Sequence, residues 1–199
     1  MRAMPKTRFV ILSITLTALA AGAGSDRDFQ VRRASDYAHQ SGEKVTVGAK
    51  VYNTEELTAE AFGKKTDLLR YGVLPVLVVI ENKRDQAIDL RDVEVSLVAA
   101  DGRHASSVNP EDIPFLARHG HKPPPVQPPI PLPKKGNPLN ASEIVTRAFS
   151  ARMLPPGDSA SGFFYFEAKS EPGDKLYLNG LREARSGQDI LYFEFPLEP

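Results

Sequence analysis

The sequence contains no cysteine. That absence excludes a disulfide framework, thiolate-bound zinc or iron–sulfur, a thiol nucleophile and a lipid-modified N-terminal cysteine. There is no excess of charge of either sign, since 25 Lys+Arg face 25 Asp+Glu over 199 residues. Balanced charge argues against nucleic acid as the main partner, because such binding rests on a basic surface. A P-loop, a dinucleotide fingerprint, an HExxH helix and a calcium loop are missing too, so no cofactor is expected. What remains is 41% apolar content on a chain of single-domain length, enough to build a core.

Residues 1–23 read as a secretory signal peptide. Arg2, Lys6 and Arg8 precede an apolar run over residues 9–20, and Ala21, Gly22 and Ala23 supply the small residues of a cleavage site. The run is nearer 12 residues than the roughly 20 that span a bilayer, so cleavage is favoured over a membrane anchor. Ala20 is the competing cleavage position. Removal takes away three bases and no acids, which leaves 22 against 25 and a net charge of −3. The mature chain is therefore expected to be exported, periplasmic or secreted, and not an integral membrane protein. Without disulfides it must hold together by burial alone.

Residues 24–44 are polar and weakly periodic and read as a flexible lead-in; the domain is expected over 45–199. Val45, Val47, Ala49 and Val51 alternate with Thr46, Gly48, Lys50 and Tyr52, the pattern of a half-buried strand. Thr54 caps a short helix over Glu55–Phe62, with Glu55 and Glu56 at its positive end and Gly63 as its stop. Residues 73–80 are almost continuously apolar, which predicts a strand covered on both faces with Pro75 near its start. A turn over 82–86 follows. Val93, Val95, Leu97 and Ala99 alternate before the hairpin signal Asp101-Gly102, and the return strand is expected over 103–108.

Ten of the 17 prolines lie within 110–138, and seven of the eleven residues from 123 to 133 are proline. Such a run cannot donate ladder hydrogen bonds, so residues 119–138 read as an extended surface insertion. Asn140 then caps a second helix with Glu143 three positions on. Ile144, Val145, Ala148, Phe149 and Met153 are expected to form its apolar stripe, and Glu143 pairs with Arg147. Strands are expected over 161–168, 174–184 and 188–197. The last two join through Ser186-Gly187, and the last points Leu191, Phe193, Phe195 and Leu197 to one side. At least six strands without a βαβ rhythm predict a mainly β, antiparallel sandwich with two short added helices and a Pro-rich loop insertion.

Two stretches resemble the immunoglobulin-like single-domain sandwich proteins that bacteria export, most of them uncharacterised. One is PVLVVIENKRDQ at 75–86, leading to VEVSL and ADG; the other is LPPGDSASGFFYF at 154–166. The resemblance implies a core strand, an Asn-containing turn and a hairpin in the first stretch, and a turn launching a strand in the second. It covers about two thirds of the mature chain; the Pro-rich insertion and the helices depart from it. These motifs are structural and imply no active site.

Four further motifs admit both functional and structural readings. Gly157-Asp158-Ser159 resembles a serine-protease nucleophile segment, yet Ala160 replaces the following glycine and His39, His104, His119 and His121 lack the flanks of a base. Turn chemistry explains it better. His119 and His121 could share a metal, but Arg118 and Lys122 flank them, so a solvated basic loop is favoured over a periplasmic metal carrier. In the Pro-rich segment Val126, Ile130 and Leu132 either dock a partner as a polyproline arm or cover a sheet edge as a stiff spacer. Phe163 and Tyr165 face one side of their strand, Phe164 and Phe166 the other. Burial under a helix is favoured for the outward pair; left uncovered, Phe163 and Tyr165 would be a partner surface.

The expected function is a non-catalytic extracytoplasmic binding or structural module, not an enzyme, that contacts a protein or the envelope. The alternatives are the metal carrier through His119 and His121, and a hydrolase assembled from scattered residues such as Asp158 and Ser159.

Overall fold

A computed structural model describes residues 29–114, 116, 141–190 and 192–197. Its strands, in chain order, are β1 (Ala38–Gly42), β2 (Val45–Val51), β3 (Leu74–Asn82), β4 (Ile88–Asp89), β5 (Glu94–Val98), β6 (His104–Ser106), β7 (Met153–Leu154), β8 (Ser159–Phe166), β9 (Lys175–Asn179), β10 (Arg182–Glu183) and β11 (Phe193–Pro196). The helices α1 (Glu55–Phe62) and α2 (Ala141–Arg147) accompany them. Every pairing between these strands is antiparallel. One sheet runs β1-β2-β3-β8, a second β11-β9-β5-β6, and a small third β10-β4-β7.

Alternation decides which residues meet between the sheets. The even-numbered residues of β3 from Leu74 to Ile80, with Val45, Val47, Ala49 and Val51 of β2, face Val95, Leu97, Leu176, Leu178, Phe193 and Phe195 of the second sheet. Ile88, Leu90, Leu154, Leu181 and Ile190, from the third sheet and its flanks, join the same core. The other face of the first sheet is buried as well. Leu77 and Val79 of β3 and Phe163 and Tyr165 of β8 pack with Phe62 of α1, Ile144 of α2, Ala34 and Tyr52. β3 is therefore covered on both sides, as its continuous apolar run predicts.

The cap of α1 forms as the sequence implies: Thr54 Oγ1 accepts from Leu57 N–H at 3.3 Å, and Gly63 ends the helix at φ +81°. The hairpin between β5 and β6 turns at Gly102, φ +84°. Four expectations need correction. Residues 38–42, read as part of a flexible lead-in, form β1 in full register with β2. The second helix stops at Arg147 rather than reaching Met153. Beyond it Phe149 N–H donates to the Phe163 carbonyl at 3.1 Å, so the open edge of β8 captures the chain. Gly162 permits this approach, since a Cβ there would lie 2.4 Å from Phe149 Cα. The proposed apolar stripe is accordingly split. Ile144 is buried, Val145 and Met153 are exposed, and Phe149 stacks on Phe164 at 5.2 Å.

The third correction concerns Phe163 and Tyr165 as a partner surface. They are 2% and 1% exposed. Phe163 lies 4.7 Å from Phe62, 5.0 Å from Tyr52 and 5.5 Å from Phe29 between ring centroids. Covering this aromatic face removes large apolar areas from water, at about 25 cal/mol per Å², and leaves nothing for a partner to touch. The segment 174–184 likewise divides at Gly180 into β9 and β10. Residues 1–23, the insertion 119–138 and Leu191 lie outside the described residues.

Candidate functional site

The centre of the first sheet, β2 and β3, is covered on both faces, whereas the outer face of the second sheet is open. Ser96 of β5, Lys175 and Tyr177 of β9 and Glu194 of β11 alternate with the core residues and point outward. Lys175 Nζ pairs with Glu194 Oε1 at 3.0 Å. Tyr192, just before β11, is 55% exposed, and its ring centroid lies 5.4 Å from that of Tyr177 at 32°.

Beside Tyr192 the surface sinks into an open groove of about 680 Å³. The β4–β5 connection lines it through Arg91, Asp92 and Val93, with Glu94 at the start of β5. Asn179, Gly180 and Arg182 line it from β9 and β10, and Asp189, Ile190 and Tyr192 from the segment before β11. Gly180 sets the closeness of the two walls. It holds φ +80°, and a Cβ there would fall 1.8 Å from the Asp92 carbonyl oxygen. Leu181 and Ile190 turn into the core, and Ile190 N–H donates to the Leu181 carbonyl at 2.8 Å. That pairing sends the neighbouring Arg182 and Asp189 outward together.

The groove charges are mostly matched. Arg182 reaches Asp92 through Nη1 at 2.5 Å and Asp189 through Nε at 2.8 Å. Hydrogen bonding and the field of Asp189 first, then that of Asp92, raise its pKa above the usual guanidinium value. Arg91 grips Asp89 from two nitrogens, Nε to Oδ1 at 3.0 Å and Nη2 to Oδ2 at 2.5 Å. Those bonds hold the Asp89 carboxyl down at about 2. Asn179 presents a buried Oδ1 with no hydrogen-bond partner among the described residues. A polar groove with paired ions and an exposed aromatic edge can bind; it presents no activated nucleophile.

The sequence-predicted site residues are not brought together here. Phe163 and Tyr165 are core, and burial pushes the Tyr165 hydroxyl well above its ordinary pKa. Val126, Ile130, Leu132, His119 and His121 lie outside the described residues. His39 and His104 are exposed on β1 and β6. Asp158 and Ser159 line a smaller cleft of about 350 Å³ with Arg33, Ser35, Glu81 and Lys83. Its best candidate base, Glu81, is already engaged, by Ala34 N–H at 2.9 Å and by Lys83 Nζ at 3.5 Å. Among the described residues no three of His, Cys, Asp and Glu are placed to hold a metal ion. The groove residues were missed because they fall in turns and at strand ends. The available signal was Gly180, a glycine inside a strand pattern that marks close backbone approach.

No family model matches the chain. No curated protein matches it either. Solved structures similar to it include YcdA of Bacillus subtilis, at 13% identity and TM-score 0.39, covering 80% of this chain and 38% of that one. MPT63, a secreted protein of Mycobacterium tuberculosis, is 15% identical at TM-score 0.36 and covers 82% of this chain and 95% of its own. The chain thus spans well under half the length of YcdA. Neither likeness bears on function.

Proposed function

We propose that the chain is exported and acts outside the cytoplasm, in the periplasm or beyond the cell, as a non-catalytic binding module that contacts the envelope or a protein. The observation that supports this most is the unequal cover of the two main sheets. In the first, β2, β3 and the end of β8 are buried on both faces, whereas the second turns outward a polar face with Tyr192 55% exposed beside an open groove. Large exposed aromatics next to a concave polar surface mark contact sites. The basic, apolar and small-residue order of 1–23 supports export. In this reading the sandwich is immunoglobulin-like, and the Pro-rich insertion 119–138 is a surface arm carrying Val126, Ile130 and Leu132 as a second contact.

The reading is tested by sedimentation of the mature chain with washed bacterial envelopes. The chain is expected in the pellet, with less of the Tyr192→Ala variant retained. Recovery of the parent wholly in the supernatant, together with no protein partner in a cross-linking pull-down from a periplasmic extract, contradicts it. So does turnover on an ester panel that disappears in Ser159→Ala.

A further inference from the structure

We propose that the Tyr192 groove is a binding site for an uncharged oligosaccharide. The inference rests on the binding-module reading and names the ligand class of that same surface. It starts from the state of the groove charges. Arg91 is held by Asp89 through two nitrogens, and Arg182 bridges Asp92 and Asp189. A charged ligand would have to displace carboxylates or guanidinium groups already in place at 2.5–2.8 Å, and with these side chains 46–77% exposed it would gain little by doing so. Glu94, also on the lining, adds a negative charge that disfavours an anionic ligand.

A hydroxyl group escapes this competition. It donates and accepts at once, so it can bond to the second oxygen of Asp92 or Asp189 and accept from a remaining guanidinium N–H without breaking either ion pair. A row of hydroxyls on a rigid ring can meet these exposed ion pairs while losing little rotamer freedom of its own on binding. The ring also has an apolar C–H face. Tyr192 offers a flat, half-exposed partner for it, and Tyr177 packed at 5.4 Å limits how far that ring can swing. The groove volume of about 680 Å³ falls within the roughly 300–1,000 Å³ of small-ligand sites. Its open form suits a ligand that stays largely in solvent better than an enclosed metabolite.

The test is saturation-transfer NMR on the mature chain with maltotetraose and chitotetraose at millimolar concentration, and oligogalacturonate as the anionic control. Transfer to the ring protons of at least one neutral sugar is expected, unchanged in about 0.5 M salt because no ion pair with the ligand is involved. Tyr192→Ala is expected to weaken binding about ten-fold, the loss typical of a truncated aromatic anchor, while Tyr192→Phe keeps the stacking face and the binding. An unchanged far-ultraviolet circular dichroism spectrum and urea midpoint in both variants show that the fold is kept. No transfer to either neutral sugar, equal transfer in Tyr192→Ala, or transfer to oligogalacturonate alone overturns the proposal. Envelope sedimentation that persists without sugar transfer would sink the oligosaccharide and leave the binding module standing; loss of both would sink both.

Discussion

The Tyr165 hydroxyl donates to the main-chain carbonyl of Ile144 at 2.8 Å, with both residues buried. Ile144 lies in the last turn of α2, where helix carbonyls lack intrahelical partners. One side chain of β8 therefore closes the end of the helix that covers it. Tyr165→Phe keeps the ring and removes only the donor. It is expected to cost about 1–3 kcal/mol, the penalty of leaving a buried acceptor unpaired, read as a lower urea midpoint with an unchanged slope. Envelope binding should not change, because the residue is out of a partner's reach.

Asn82 should prove a second structural centre. It is 1% exposed, and its Nδ2 donates to the carbonyls of Gln86, Leu154 and Pro155 at 2.9, 3.1 and 3.1 Å. Its Oδ1 accepts from Arg84 N–H at 2.9 Å. The turns 83–86 and 155–158 are thus fastened by one amide. Asn82→Ala is expected to destabilise by on the order of 3 kcal/mol, since at least two buried groups lose a partner at about 1–3 kcal/mol each. Asn82→Asp should be worse than alanine at neutral pH, where its carboxylate would face three carbonyl oxygens. Urea unfolding of the two variants gives the order.

High pH should unfold the chain through its buried phenols. Desolvation raises the pKa of Tyr52 and Tyr165 far above the ordinary value of 10.0. Both hydroxyls therefore stay protonated in the folded protein, while the unfolded chain releases these protons near pH 10. The stability they contribute is full below pH 10 and falls as pH rises above it. Phenolate absorbance followed against pH is expected to show Tyr52 and Tyr165 untitrated until the circular dichroism signal is lost.

Local pattern was enough for the elements whose cause is local. β2 and β3 follow from valine spacing, α1 from Thr54 and Gly63, and the β5–β6 hairpin from Asp101-Gly102. The β1–β2 hairpin was not legible, because its two turn residues are Glu43 and Lys44 at φ +48° and +60°, positions usually taken by Asn or Gly. What compensates is tertiary. Arg84 Nη1 reaches both the carbonyl and the carboxylate of Glu43 at 3.1 Å, and Lys83 N–H donates to the Lys44 carbonyl at 2.8 Å. The end of α2 was hidden for a similar reason, since the edge of β8 and not any helix stop takes Phe149. The groove stayed unread because Arg182 meets Asp92 from 90 residues away. No spacing rule links them.

The most direct measurement is amide chemical-shift mapping of the mature chain titrated with soluble fragments of bacterial envelope. The expected perturbations cluster on residues 91–94, 179–182, 189, 190 and 192, with the amides around Phe163 and Tyr165 unmoved. Saturable shifts confined to other surfaces, or none at all, would contradict the assignment of binding to the outer face of the second sheet.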